Sequence, residues 1–419
     1  MMKDVNDYSG RSDNERIEAA IRDRSSQTVL LPRRVSDVEP ERDWWRLDRA
    51  ILLPSNTTVI LQDCKLKLSD TCRDNFFRSA NCGLGIEDPE PAENIHIIGQ
   101  GSCILEGADH PRATGDSSKL LGCPCPKNFT GAEPPGFEDL HRHTYGTDAG
   151  KPDESQHGDW RNIGILMANV TRLSIENLCI REPHAWAISL ESCSFADIRR
   201  IEFQARMTRN IDGADHNVEN QDGINLRAGC HDVIISDITG MTGDDVVALT
   251  ATASQTRRRK GGELRSTQVM GNDFSKRSKD IRNVIIRNVL AYPAGGCLML
   301  RLLALDGAEI RNVTVDGLVD ASPDGFHTFA SVQVGEKAQI VGEPNHPYGK
   351  QSECSIFNVT FSNIISNAKR AVYIPGGLRG AVFCNVINRD PEGKVFEILS
   401  SEMIHDVQFQ NTQDGRPGK

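Results

Sequence analysis

Aromatic residues are scarce. Phe, Trp and Tyr together make up 5% of the 419 residues and apolar residues only 38%, against 36 Gly and 19 Pro. That balance disfavours long buried helices and suits many short strands joined by turns. No stretch is long and apolar enough to span a membrane. Positive charge is not in surplus either. The net charge of −10 argues against nucleic acid and against an anionic membrane surface as partners. An acidic sugar stays open, because local Arg or Lys could hold one. The first ten residues, MMKDVNDYSG, lack the apolar core of a secretory leader. With 12 Cys scattered through the chain, the expected setting is cytoplasmic and reducing, with buried thiols. A secreted chain already trimmed of its leader would read the same.

What is present is repetition. IRNVIIRN from Ile281, IRNVTVDG from Ile310, IFNVTFSN from Ile356 and IHDVQFQN from Ile404 are versions of one phrase. Apolar alternation recurring at a coil's length predicts a solenoid of stacked parallel strands. The polar residue inside each phrase (Asn283, Asn312, Asn358) is expected to form stacked amide ladders. Earlier coils are read at 28–32, 50–69, 93–107, 161–180 and 184–203, with Ile175 and Ile198 as equivalent residues. Cys193 and Cys230 hold similar turn positions and are expected to stack rather than pair. Residues 13–24 read as an amphipathic helix with Ile17, Ala20 and Ile21 on one face and Ser12 or Asp13 as cap; it is the candidate cover for the first open coil. The chain is expected to be one domain, 1–419, with an insertion at about 108–160, a loop at 204–219 and a second insertion at about 252–279. His141, His143, His157 and Cys123-Pro-Cys125 fall in the first insertion, but the cysteine spacing is too tight for a zinc knuckle. The basic run 257–260 is read as a solvated loop.

The chemistry concentrates between Asn220 and Ala251. NQDGINL and TGDDVVAL align with Asp222 over Asp244, Ile224 over Val246 and Leu226 over Ala248. Stacked coils lie about 4.8 Å apart, so Asp222, Asp244 and Asp245 are expected on one ledge. Like charges at that spacing disfavour simultaneous ionisation, which supplies an acid beside a base. Strand parity directs Ile224, Leu226, Val246 and Ala248 inward. Asp222 and Asp244 must therefore sit in the turn before the strand, and Asp245 falls on the outward parity beside Asn225. The alternatives are that these acids are ordinary turn formers, or that their oxygens bind calcium.

NQDG followed one coil later by TGDD, with GCHDVIIS between them, resembles the paired motifs of the polygalacturonases, glycoside hydrolase family 28. The resemblance implies an all-β, single-stranded right-handed parallel β-helix. It implies inverting hydrolysis of pectic or related oligosaccharides, with a walled groove favouring exo action. Asp244 would be the general acid, and Asp222 and Asp245 would hold and deprotonate the water. Asn220, Asn225, Arg227, His184, Trp186, Arg301 and His327 are the candidate substrate-binding residues. His184-Ala-Trp186 is similar to the family's SPFW turn, where Trp186 would stack on a sugar. The sequence also departs from the family. Where its GHG histidine would fall, AGGCLML offers Gly296 flanked by Gly295 and Cys297. Its RIK clamp falls at GFHTF, with His327 for Arg and Phe329 for Lys. No cofactor and no metal are expected; the partner is an oligosaccharide or polysaccharide. A non-catalytic sugar-binding β-helix of the tailspike or adhesin kind, and a polysaccharide lyase, are the other classes considered.

Overall fold

The computed structural model describes residues 2–83, 86, 88–111, 160–211, 213–218, 220–252, 257–258, 264–265, 269–270, 274–305, 307–335 and 355–414. His141, His143, His157, Cys123 and Cys125 of the 108–160 segment lie outside these. So does most of the 252–279 segment, where Arg257–Arg258 pairs antiparallel with Leu264–Arg265. The chain divides into two compact units. One holds Met1–Ser189, Cys193–Gln221 and Thr256–Gly271; the other holds Leu190–Ser192, Asp222–Gln255 and Asn272–Lys419.

The first unit begins with the helix Asp13–Arg22, where Ser12 Oγ accepts the Glu15 N–H at 3.2 Å. Ile17, Ala20 and Ile21 are buried as the spacing requires. Asn14 ties the helix to the first coil, donating to the Arg49 carbonyl at 2.9 Å and accepting the Asp48 N–H at 2.7 Å. Parallel strands follow: Thr28–Pro32, Thr57–Gln62, Ala92–Gln100, Val170–Arg181 and Ser194–Gln204 are successive neighbours. Ile175 pairs with Ile198 in this ladder, so the equivalence read from the sequence holds. The expected loop at 204–219 is instead an antiparallel hairpin, Thr208–Ile211 with Ala214–Asn217. Gly213, at φ 83°, turns the chain there; the short polar run carried no strand periodicity to reveal it.

The second unit has two ladders of parallel strands. The long one runs His231–Thr242, Ile281–Pro293, Ile310–Asp320, Ile356–Ser366, Leu378–Asn388, Ile404–Asp414. The other runs Ile224–Arg227, Val247–Ala251, Leu298–Ala304, Ala330–Val334, Arg370–Ile374, Lys394–Ile398. In-register columns form the core: Ile224, Val247, Leu300, Val332 and Val372 are all buried.

The amide ladder is present. Asn312 Nδ2 donates to Asn283 Oδ1 at 2.9 Å, Asn358 Nδ2 reaches Asn312 Oδ1 at 3.5 Å, and Asn283 Nδ2 donates to Asp232 Oδ1 at 2.8 Å. All four residues are left-handed, with φ between 53° and 56°. Asn and Asp tolerate that conformation better than other side chains, so the repeat keeps them where each coil bends. Asn312→Ala should cost about 2 kcal/mol, combining left-handed strain with lost ladder bonds. Asn312→Gly should recover the strain part, and urea midpoints of the two variants check this.

Cys193 and Cys230 are both buried, and neither is in a disulfide. Each lies on a backbone carbonyl, Cys193 on Met167 at 3.3 Å and Cys230 on Leu190 at 3.2 Å.

Candidate active site

The register of the acidic coils differs by one residue from the sequence alignment. Ile224 pairs with Val247, not Val246, and Asn225 with Ala248. The Gly223 N–H donates to the Asp245 carbonyl at 2.8 Å and the Ile224 N–H to the Val246 carbonyl at 2.9 Å. Asp245, not Asp244, is therefore level with Asp222. Leu249, not Ala248, shares the inward column of Leu226, and Ala248 joins the outward column of Asn225. The reason is local: DDVVAL has two adjacent valines, and either could head an inward column. A one-residue slip moves every side chain to the other face, and backbone pairing decides it. The requirement that the acids precede the strands does hold, since the strands begin at Ile224 and Val247.

Each acid is positioned by named groups. Asp222 is buried, and its Oδ2 accepts the Asn225 amide at 3.1 Å. Asp245 is buried too; its Oδ1 accepts the Leu298 N–H at 3.1 Å, and its Oδ2 stands 3.8 Å from Arg301 NH1. Asp244 is half-buried. Its Oδ1 accepts the N–H of Asp245 at 2.9 Å, and its carbonyl accepts Thr242 Oγ1 at 2.6 Å.

The next coil supplies Cys297, which the motif comparison named only as a neighbour of Gly296. The Val246 N–H donates to the Leu298 carbonyl at 2.9 Å, which sets Cys297 level with Asp244. Its thiol and oxygens of Asp244 and Asp245 lie within 4.8 Å of one another. Burial, followed by the charges of Asp244, Asp245 and Asp222 and a hydrogen bond to Asp244, pushes the Cys297 thiol far up from its ordinary value. A protonated S–H beside Asp244 and Asp245 is thus part of the site. One coil on, the Phe329 N–H donates to the Gly296 carbonyl at 2.7 Å, so Phe329 follows Cys297 on the same column. Phe329 is 40% exposed. It meets Tyr373 edge to face at 5.3 Å, and the Arg370 guanidinium sits 4.6 Å over its ring. The long segment between Ala251 and Leu298 breaks the sequence period, and with it the signal that would have aligned Cys297 and Phe329 with Asp244.

The remaining candidates fare differently. Arg301 is level with Ala248 on the outward column, its side chain 26% exposed, beside Asp245; it stays with the acids. Asn225 is 1% exposed and engaged on Asp222, so it orients an acid rather than touching a ligand. Arg227 is 1% exposed and is likewise withdrawn from substrate, because its guanidinium is enclosed. His327 is held by the fold: Nδ1 is 3.0 Å from the Asn367 carbonyl and 3.3 Å from buried Asp390. Asn220, His184 and Trp186 belong to the other unit. Asn220 is half-buried and left-handed at φ 57°. Trp186 packs in a core cluster with Cys82, Ile163, Leu166 and Ala168, so it is a core residue and not a sugar platform. His184 is 2% exposed and its Nε2 accepts the Ala108 N–H at 2.9 Å, which removes it from any ligand.

That same burial, helped by the Arg209 charge, pulls the His184 pKa down to about 3 from 6.5. The sign is that of a base kept neutral in the fold. Its contribution is fully present above pH 6.5 and drains away as pH falls towards 3, at about 1.4 kcal/mol per pH unit. Melting temperature should therefore fall more steeply between pH 6 and 4 in the wild type than in His184→Asn, which takes up no proton there.

A separate cavity of about 390 Å³ in the first unit is lined by Glu106, Asp109, His110, Arg181, Glu182, Arg206, Arg209 and Asn210. Its charges are matched internally. Arg181 and Lys67 pair with Glu106 at 3.0 and 3.1 Å, and Arg209 and Arg206 with Glu182 at 2.8 and 3.2 Å.

No family model matches the sequence, and no curated protein matches it. Solved structures do match in fold. An exopolygalacturonase from Thermotoga maritima superposes with a TM-score of 0.54 at 12% identity, over 99% of this chain and 91% of its own. An endo-xylogalacturonan hydrolase from Aspergillus tubingensis gives 0.56 at 11%, over 99% and 92%. The tailspike of E. coli bacteriophage HK620, in complex with a hexasaccharide, gives 0.51 at 11%, over 98% and 65%. The fold is the right-handed parallel β-helix. Within that β-helix the polygalacturonase likeness is one of backbone, and the chemistry rests on the residues described above.

Proposed function

We propose that this β-helix is an inverting glycoside hydrolase acting, in exo fashion, on pectic or related oligosaccharides. The observation that carries the reading is Asp244 and Asp245 within 4.8 Å of each other and of the Cys297 thiol, with Asp222 level with Asp245 on the adjacent coil. Asp244, the most exposed of the three, gives its proton to the glycosidic oxygen as the C–O bond breaks. A water bonds to the anomeric carbon from the opposite face and passes its proton to Asp222. Inversion requires roughly 6.5–9.5 Å between acid and base to admit that water. Asp244 and Asp245 approach within 4.8 Å, so Asp245, fixed by the Leu298 N–H and Arg301, orients the water instead. Arg301 is a cation beside Asp245, and the partly exposed Phe329, with Arg370 over one face, adds an aromatic surface to the same column.

A second reading has its own support. The Asp245–Arg301 pairing and the tailspike likeness both suit a non-catalytic sugar-binding β-helix. Reducing-end release from a panel of pectic and neutral oligosaccharides separates the two. Hydrolysis predicts new reducing ends with inverted anomeric configuration by proton NMR. Binding without product from any glycan supports the second reading, and an unsaturated product absorbing in the ultraviolet supports a lyase.

A further inference from the structure

Resting on the hydrolase reading, we propose that Cys297 is a positioning residue for Asp244, its thiol a neutral donor that holds one oxygen of the acid's carboxyl group. Three observations lead there. The backbone register places Cys297 one coil from Asp244 on the same column. The thiol lies within 4.8 Å of oxygens of Asp244 and Asp245. The sulfur also lies 3.9 Å from the Gly295 carbonyl, and burial together with the charges of Asp244 and Asp245 keeps it protonated, so the thiol is a donor and no nucleophile.

The charged groups around Asp244 define what the donor does. Asp222 and Asp245 face it from the coil turns and Arg301 stands on the strand that follows Cys297. Arg301 stands 3.8 Å from Asp245 and Asp244 Oδ1 accepts the Asp245 N–H; the thiol adds a side-chain donor to that backbone one. As the proton passes from Asp244 to the glycosidic oxygen, a carboxylate develops and the S–H···O bond becomes charge-assisted. Such bonds are roughly twice as strong as neutral ones. The gain arises in the transition state rather than in the bound substrate, which raises kcat without tightening binding. No bond to sulfur is made or broken.

The test uses Cys297→Ala, Cys297→Val and Cys297→Ser in the full chain. Ala and Val both remove the donor, and Val restores most of the volume. Both should lower kcat about tenfold with KM little changed. Both should move the alkaline limb of the pH–rate profile to higher pH, since the carboxylate has lost a stabilising partner. Ser keeps a donor and should restore the rate and the limb. A second readout is independent of turnover. The 13C carboxyl resonance of Asp244, assigned by its disappearance in Asp244→Asn, should titrate at higher pH in Cys297→Ala than in the wild type. Wild-type kcat and limb in the Ala and Val variants, or an unmoved carboxyl titration, would overturn the role of Cys297. Absence of product from the wild type would instead overturn the hydrolase reading, and the carboxyl titration would still decide the hydrogen bond.

Discussion

Asp244→Asn should lower kcat by about 10²–10⁴-fold, the usual worth of a positioned general acid, and leave the melting temperature nearly unchanged. The two halves of that result come from different atoms. An amide has no proton to give at the glycosidic oxygen, so the leaving group departs as an alkoxide. At the same time Asn keeps an Oδ1, and that atom is the one accepting the Asp245 N–H at 2.9 Å. The turn therefore survives the substitution. Asp245 should behave differently, because it holds the Leu298 N–H and faces Arg301. Asp245→Ala leaves a buried N–H without its acceptor, and should lose about 1–3 kcal/mol of stability along with activity. Measuring kcat and thermal melting on the same preparations separates the roles. Unchanged kcat in Asp244→Asn would remove Asp244 as the acid, and equal melting in both variants would remove the positioning assigned to Asp245.

What could be seen in the sequence and what could not follows from the physics of a coil. The phrase from Ile281 onward was legible because it repeats without interruption. Val284, Val313 and Val359 pair directly, and the Asn ladder falls where a left-handed residue is required. The helix cap was legible because Ser12 and the Ile17, Ala20, Ile21 face are local features. The acid coil was legible in composition but not in register, since DDVVAL presents two equivalent valines. Cys297 and Phe329 were in view through the motif comparison, but their stacking on Asp244 was not, nor were Tyr373 and Arg370: the 252–279 segment resets the count along the chain. Trp186 and His184 misled because a turn motif reports sequence likeness and not exposure. Trp186 is 6% exposed and His184 2%, and only packing reveals that.

Phe383→Ala should be the most destabilising single change among the core residues of the second unit, at about 3–5 kcal/mol. Phe361, Phe383 and Phe409 occupy one inward column in consecutive coils. The rings of Phe361 and Phe383 stack at 4.7 Å and 3°, and those of Phe383 and Phe409 at 5.5 Å and 11°. Phe396 meets both Phe383 and Phe409 edge-on. Phe383 is fully buried between these neighbours, so truncation opens a cavity bounded by strands that the ladder hydrogen bonds hold at fixed spacing. The site cannot collapse, and both the transfer and the cavity contributions are lost. Phe409, by contrast, is 41% exposed; Phe409→Ala should lose only about 1–2 kcal/mol. In a solenoid each coil contacts only its neighbours, so the damage in Phe383→Ala should be local. Amide exchange should accelerate in Ile356–Ser366, Leu378–Asn388 and Ile404–Asp414 while Ile281–Pro293 keeps its protection. Uniform loss of protection along the unit would show that its coils melt as one block and not by fraying from the end.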